Sequence, residues 1–281
     1  MFANQLKTAL LLGMLSAVLL LIGYYVGGIS GLTIAIVISV IINFSSLFWS
    51  DRLVLSMYKA KEIKESENKE LHDLVKELAM QMKIPKPRIY LIPSETPNAF
   101  ATGRSPSKAA VAVTNGILKI MNRNELKGVL AHELSHIKNR DTLIATIAAT
   151  IAGVISYVAM MARFAAIFGG GKDQRDGNGL ELLVLAILAP LMALIIQLAI
   201  SRSREYLADE SAARSLSNGQ GLANALRKLE VDNRRKPLQF GNSSTASLFI
   251  VNPFSGRSLI GLFSTHPPIQ ERVKRLESYT F

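Results

Sequence analysis

Polarity along the chain changes in blocks. Charge-free runs extend from Ala9 to Gly28 and from Gly31 to Trp49, 20 and 19 residues, close to the roughly 20 residues with which a helix crosses about 30 Å of hydrocarbon. The intervening Gly27-Gly28-Ile29-Ser30-Gly31 suits a tight hairpin. A third charge-free run covers Thr142 to Ala162, with Arg163 at its far end, and a fourth covers Leu182 to Ser201. Gln197 is the strongly polar member of the fourth, and Pro190 near its middle is a kink that a membrane helix tolerates when neighbours satisfy the freed carbonyl. The pattern predicts four transmembrane helices, about 9–28, 31–49, 142–162 and 182–201. Lys7 ahead of the first run raises the possibility of a cleaved signal peptide. The length of the run, the lack of a small-x-small cleavage site and the second apolar run favour a retained anchor hairpin.

Between the apolar blocks the periodicity is that of a folded domain. Asp51 to Lys83 is charged with helical spacing, and Leu71, Leu74, Val75, Leu78, Ala79 and Met82 form one apolar stripe that Pro85 and Pro87 end. Arg88–Ile92 and Ala109–Thr114 read as strands. Pro93–Pro97 reads as a loop leading into Asn98–Gly103, and Asn115-Gly116 as a turn. Asn122 with Glu125 three residues later forms a capping box. The helix it opens meets no further Pro or Gly beyond Gly128, so it is expected to run into the third span.

Composition narrows the classes. Of 281 residues 49% are hydrophobic, which excludes intrinsic disorder. The absence of Cys excludes disulfide frameworks, thiolate metal sites and cysteine nucleophiles. The net charge of +11 sits in two places: residues 50–140 hold 16 Lys+Arg against 10 Asp+Glu, and residues 202–281 hold 12 against 7. The connector 169–179 has two charges of each sign. Lys/Arg excess marks the cytoplasmic side, so both polar segments and the amino terminus are expected there. The basic residues are scattered without aromatic interleaving, so no nucleic-acid partner is expected.

The chemistry lies in His132-Glu133-Leu134-Ser135-His136. Two His four apart share one face of a helix and can hold one zinc ion, while the adjacent Glu is placed to act as general base. A catalytic zinc takes three protein ligands. The His-rich continuation of the motif is absent, with Asn139 and Thr142 at those positions, so a distant carboxylate is expected. After the fourth span, Glu205 and Asp209 lie one turn apart on one face. One of them can ligate while the other receives the free N–H of a ligand His. Two crossings separate the motif from these carboxylates, which keeps them in one compartment.

These residues resemble the HtpX-type membrane zinc metalloproteases, relatives of the CAAX prenyl proteases in the gluzincin group. The similarity covers the amino-terminal hairpin, Asn98-Ala99-Phe100-Ala101-Thr102-Gly103, the zinc helix, Glu205-x-x-x-Asp209, and Ser264-Thr265-His266-Pro267-Pro268 followed by Arg272. The resemblance implies His132, His136 and Glu205 as ligands of one zinc per chain and Glu133 as catalytic base. It implies Asn98, Ala99, Phe100, Ala101 and Thr102 as a substrate-binding edge, and quality control of misfolded membrane proteins as the role. Asp209 is then the expected partner of a ligand His. His266, stiffened by the two prolines, is a candidate oxyanion donor, weighed against simple helix capping. Arg272 has a similar claim on the substrate, weighed against a role in solvating one face of an amphipathic helix. His72, on a charged helix, reads as a surface residue, and Met160-Met161 as packing.

The expected architecture is a mainly α membrane protein, with four transmembrane helices and a cytoplasmic α+β zincin-like catalytic domain with a small β-sheet. Its parts are a transmembrane hairpin (1–50), a protease part with the zinc helix (51–140), a second hairpin (141–201) and a protease part with the third ligand (202–281). The expected partners are the lipid bilayer and misfolded or unfolded membrane proteins. Two rival readings are a processing protease with narrow peptide substrates and a membrane scaffold or chaperone in which zinc only staples helices.

Overall fold

The computed structural model describes residues 2–151, 202–235, 248–251 and 267–280. Helix α1 (Phe2–Met57) is two helical arms joined at Gly27 and Gly28, where Gly28 takes φ 56°, a conformation that glycine enters without penalty. The arms return side by side. A Cβ on Gly23 would lie 2.6 Å from the Gly31 carbonyl, and the Asn43 amide donates to Ser16 Oγ at 2.8 Å. Leu6–Tyr25 and Gly27–Met57 are long and apolar enough to cross a membrane, and only 17% of each apolar window is buried within the protein. The second arm continues beyond Trp49, where the second span was expected to end, to Met57. There Val54 and Leu55, with Tyr58 just beyond the helix, pack on Ile92, Phe100, Ala110 and Ala112 of the sheet. The membrane hairpin and the polar domain thus share one apolar cluster.

The expected helical segment 51–83 is divided. Strand β1 (Lys61–Glu62) follows α1, and helix α2 runs from Lys69 to Met82. Asn68 accepts from the Leu71 N–H at 3.0 Å to start α2, and Lys83 ends it in the left-handed conformation two residues before Pro85. The predicted stripe faces inward. His72 shares that burial, contrary to the surface reading, and its Nε2 meets the Ile63 carbonyl at 3.1 Å. Strands β2 (Arg88–Ile92), β3 (Ala99–Thr102) and β4 (Ala110–Thr114) complete a sheet of order β1-β2-β4-β3, in which β2 and β4 are parallel and the outer pairs antiparallel. Asn115-Gly116 is not a free turn. Thr114 accepts from the Ile117 N–H at 3.2 Å and opens the short helix α3 (Asn115–Ile120).

Helix α4 (Arg123–Asn139) starts with the predicted capping box, both bonds at 2.9 Å. It does not continue into the third span. Arg140 turns left-handed at φ 60° and donates its N–H to the His136 and Ile137 carbonyls, and helix α5 (Thr142–Ile151) starts afresh after Asp141. The first turns of α5 pack Ile144, Ile147 and Ile151 on Leu11 and Leu15 of α1. Thr142 Oγ1 donates to the Gly103 carbonyl at 2.8 Å, tying the end of β3 to this helix. The rest of the third predicted span and the whole of the fourth lie outside the described residues.

Helices α6 (Arg202–Leu216), α7 (Gln220–Arg235) and α8 (Ile269–Ser278) close the core over α4. The α4–α7 crossing is tight enough that a Cβ on Gly128 would stand 2.6 Å from the Leu222 nitrogen. The core formed by α2, α4, α6, α7, α8 and one sheet face buries Leu74, Val111, Val129, Leu130, Leu134, Leu226 and Val273. The architecture is mainly helical with one small mixed sheet.

Candidate metal centre

Local helical geometry delivers the donors. On α4, His132 and His136 project toward α6, with Nε2 atoms 3.2 Å apart. Glu205, in the first turn of α6, lies 3.7 Å from His132 Nε2 through Oε2 and 3.6 Å from His136 Nε2 through Oε1. Tetrahedral zinc with bonds of about 2.0–2.2 Å separates its ligands by about 3.3–3.6 Å. The donors come close to those dimensions, with each imidazole nearest a different oxygen of Glu205, and they are imidazole and carboxylate groups suited to zinc in a chain without thiols.

The ring orientation of each His is held from behind. His132 Nδ1 lies 2.9 Å from Asp209 Oδ1, and His136 Nδ1 lies 3.4 Å from Asp141 Oδ2. With Nδ1 held by a carboxylate, each Nε2 faces the centre, where its lone pair is available once the ring is neutral. Asp209 in turn receives two bonds from Arg272, Nε to Oδ2 and Nη2 to Oδ1, both 2.8 Å. Burial alone would raise the Asp209 carboxyl, but Arg272 and His132 hold it below the usual carboxylate range. Arg272 is fully buried, so it solvates no helix face. Its guanidinium reaches Asp209, the Ile250 carbonyl at 3.1 Å through Nη1, and the His132 ring at 3.4 Å.

Glu133 is buried beside the triangle, and its carboxylate accepts the Ala101 N–H of β3. Burial, aided by the nearby Glu205, pushes its carboxyl up to about 8 against the attraction of His136 and Arg272. The two imidazoles move in opposite directions. Burial takes His132 down to about 4 despite Asp209. Burial also disfavours the charged His136 ring, but the Asp141 hydrogen bond and the Glu205 and Glu133 carboxylates outweigh it and raise that ring to about 9.

The structure therefore brings His132, Glu133, His136, Glu205, Asp209 and Arg272 together. It sets Asn98–Thr102 beside them as the last residues before β3 and β3 itself. Phe100 points away from this cleft, into a ring cluster with Tyr58 and Phe249 at 5.7 and 5.2 Å. His266 lies outside the described residues. Asp141 was missed by the sequence reading. On one continuous helix it would face about 140° away from His136, and only the left-handed Arg140 swings it back.

Comparison with known proteins places this geometry in a lineage. The model of peptidase family M48 matches residues 65–280. The chain belongs to peptidase family M48. The M48 match holds α4 with its His-Glu-x-x-His face, α6 with Glu205, and α8 with Arg272. A protease HtpX homolog of Syntrophobacter fumaroxidans is 50% identical over 279 residues, 98% of this chain and 99% of that one. One from Pyrococcus furiosus is 54% identical over 271 residues, 96% and 94% of the two chains. This M48 chain is accordingly of the HtpX type, a membrane metalloprotease. The crystal structure of S. mikatae Ste24p shares the fold with a TM-score of 0.52 at 19% identity, covering 99% of this chain and 65% of that longer one.

Proposed function

We propose that this M48 protein is a zinc endopeptidase that cleaves peptide bonds at the cytoplasmic face of a prokaryotic membrane, in the quality control of misfolded membrane proteins. The observation that carries the reading is the convergence of two imidazole nitrogens and one carboxylate, 3.2–3.7 Å apart, next to a buried carboxyl that is not part of the triangle. Bound zinc would supply Lewis acidity to a peptide carbonyl and to water. Among the described residues three protein donors converge, the number with which a catalytic zinc would keep its fourth position for water or substrate.

The protein's own groups supply the rest. Glu133 accepts a proton from the attacking water and passes it to the leaving amine. Burial raises its carboxyl above the usual carboxylate range, toward the pH at which a group must both take up and release a proton. The Ala101 N–H fixes the direction of that carboxylate. Asp209 and Asp141 keep the two imidazoles in the tautomer with Nε2 free. Asn98 and β3 orient an extended substrate by its main chain, a mode that reads sequence weakly and suits unfolded segments. His266, next to Pro267-Pro268, is the proposed donor to the oxyanion, and Arg272 extends the donor set toward the substrate. The positive polar segments support the cytoplasmic orientation.

Substituting Glu133→Gln keeps the size and removes the base. Bound zinc should remain, while cleavage of an unfolded membrane-protein substrate should fall by about 100-fold to 10,000-fold. Undiminished cleavage contradicts the mechanism.

A further inference from the structure

β3 is the edge strand of the sheet, and its outer edge runs past the candidate metal centre. In antiparallel pairing alternate residues turn their main-chain groups toward and away from the partner strand. Asn98 exchanges bonds with Thr114, so the main chain of Ala99 and Ala101 faces outward. An open edge of this kind pairs with any extended chain that reaches it. Here it is already taken.

Leu248–Val251 lies against it. The Ile250 N–H donates to the Ala99 carbonyl at 3.3 Å. The Ile250 carbonyl accepts from Arg272 Nη1 at 3.1 Å, and the Val251 carbonyl accepts from Asn98 Nδ2 at 2.6 Å. Consecutive main-chain groups are thus received by residues of the site, independent of the segment's own side chains. Phe249 anchors the segment edge-on to Tyr58 and Phe100, with centroids 4.9 and 5.2 Å away. All four residues are buried, and none is charged.

We propose that Leu248–Val251 is a resident occupant of the substrate edge. The segment holds the groups of Asn98, Ala99 and Arg272 that a peptide would use, and a substrate competes with it for them. This rests on β3 being the substrate edge of the proposed protease. Two consequences follow. The occupant defines the class of ligand the edge takes: an extended, uncharged stretch with adjacent aliphatic residues, as an unfolded membrane segment presents. It also restrains the enzyme, because a tethered competitor acts at an effective concentration of order millimolar, which a folded or dilute polar peptide does not overcome.

The test uses the full-length, zinc-loaded chain in detergent with Glu133→Gln to stop turnover. The probe is a fluorescein-labelled peptide of sequence Ser-Leu-Phe-Ile-Val-Asn, followed by anisotropy. Phe249→Ala removes the anchor, and Ile250→Pro removes the N–H given to Ala99. Each should tighten peptide binding by about tenfold or more by freeing the occupied edge, with zinc content and cooperative unfolding retained, although the midpoint falls in Phe249→Ala because a buried ring is lost. In chains with Glu133 intact the same substitutions should lower KM for an unfolded apolar substrate and leave kcat little changed. Unchanged or weaker peptide binding in both variants overturns the proposal, as does loss of zinc or of cooperative unfolding in both, which marks the segment as a fixed wall. Altered binding without any hydrolysis by the chain retaining Glu133 sinks the protease reading and spares the occupant. Hydrolysis with unaltered binding does the reverse.

Discussion

The two histidines of the metal centre stand four residues apart on one helix, yet the protein builds a different wall behind each. Behind His132 everything is buried: Asp209 at 2.9 Å, and behind it Arg272 with two 2.8 Å bonds to the same carboxylate. Behind His136 the wall is looser, with Asp141 at 3.4 Å and Arg204 4.0 Å beyond it. The first wall joins α4, α6 and α8, so it welds three elements that are far apart in sequence. In the second the contact to His136 is local, made by the left-handed Arg140 that ends α4, and the longer Arg204 contact reaches it from α6. The difference teaches that one wall carries the assembly of the site, while the other sets the proton affinity of a single ligand.

The largest effect that separates the walls should come from Arg272→Met. It strands the buried Asp209 carboxylate, an arrangement that costs about 3–5 kcal/mol. Thermal unfolding of the metal-free protein should show a large drop in midpoint. Asp141→Asn, measured in parallel, should cost about 1 kcal/mol, the worth of one hydrogen bond. Equal losses would erase the distinction. Arg272→Lys should recover little, because an ammonium does not reproduce the two-pronged contact.

Metal affinity gives the next contrast. Zinc competition titrations should find Asp209→Asn weaker than the unaltered chain by about 100-fold and Asp141→Asn by about tenfold, the two ends of the range for groups that orient a ligand. The opposite ranking would make the local wall the important one.

The smallest effect is a count of protons. A ligating imidazole must be neutral. His132, lowered to about 4, is already neutral at pH 7, whereas His136, raised to about 9, carries a proton that zinc must displace. In the Glu133→Gln chain, calorimetry in buffers of different ionisation enthalpy should therefore show about one proton released per zinc at pH 7. Zinc affinity should rise with pH until the His136 ring, held above its ordinary value by Asp141 and Glu205, has lost its proton. With Glu133 present the count should be higher, since its carboxyl at about 8 is also protonated in the metal-free site. Release of no proton would contradict the assignment of His136 as the charged member.

What was legible in the sequence follows the same division between local and distant. The His132–His136 and Glu205–Asp209 pairs are properties of helical spacing, and the capping box at Asn122 is a property of three residues. All three stand in the structure as the spacing predicts. The membrane hairpin was legible from two long apolar runs with glycines between them. Strand β1 has two residues and leaves no periodic trace. Asp141 depends on a left-handed Arg140, a conformation that no side chain advertises. The burial of His72 shows the limit of counting charges along a helix: its neighbours Leu71 and Val75 decide which face is inside. Arg272 was recognised as a site residue, but its spacing on α8 said nothing of Asp209, 63 positions away. The covering of β3 by Ile250 is more distant still, and three-dimensional contact alone reveals it.

The central claim is that His132, His136 and Glu205 hold one catalytic zinc. Metal analysis of the purified full-length protein tests it most directly, comparing the unaltered chain, Glu133→Gln and Glu205→Ala after identical dialysis. The account predicts about one zinc per chain in the first two and a large loss in the third, as removal of one of three protein ligands requires. Stoichiometric zinc with normal proteolysis in Glu205→Ala would contradict it.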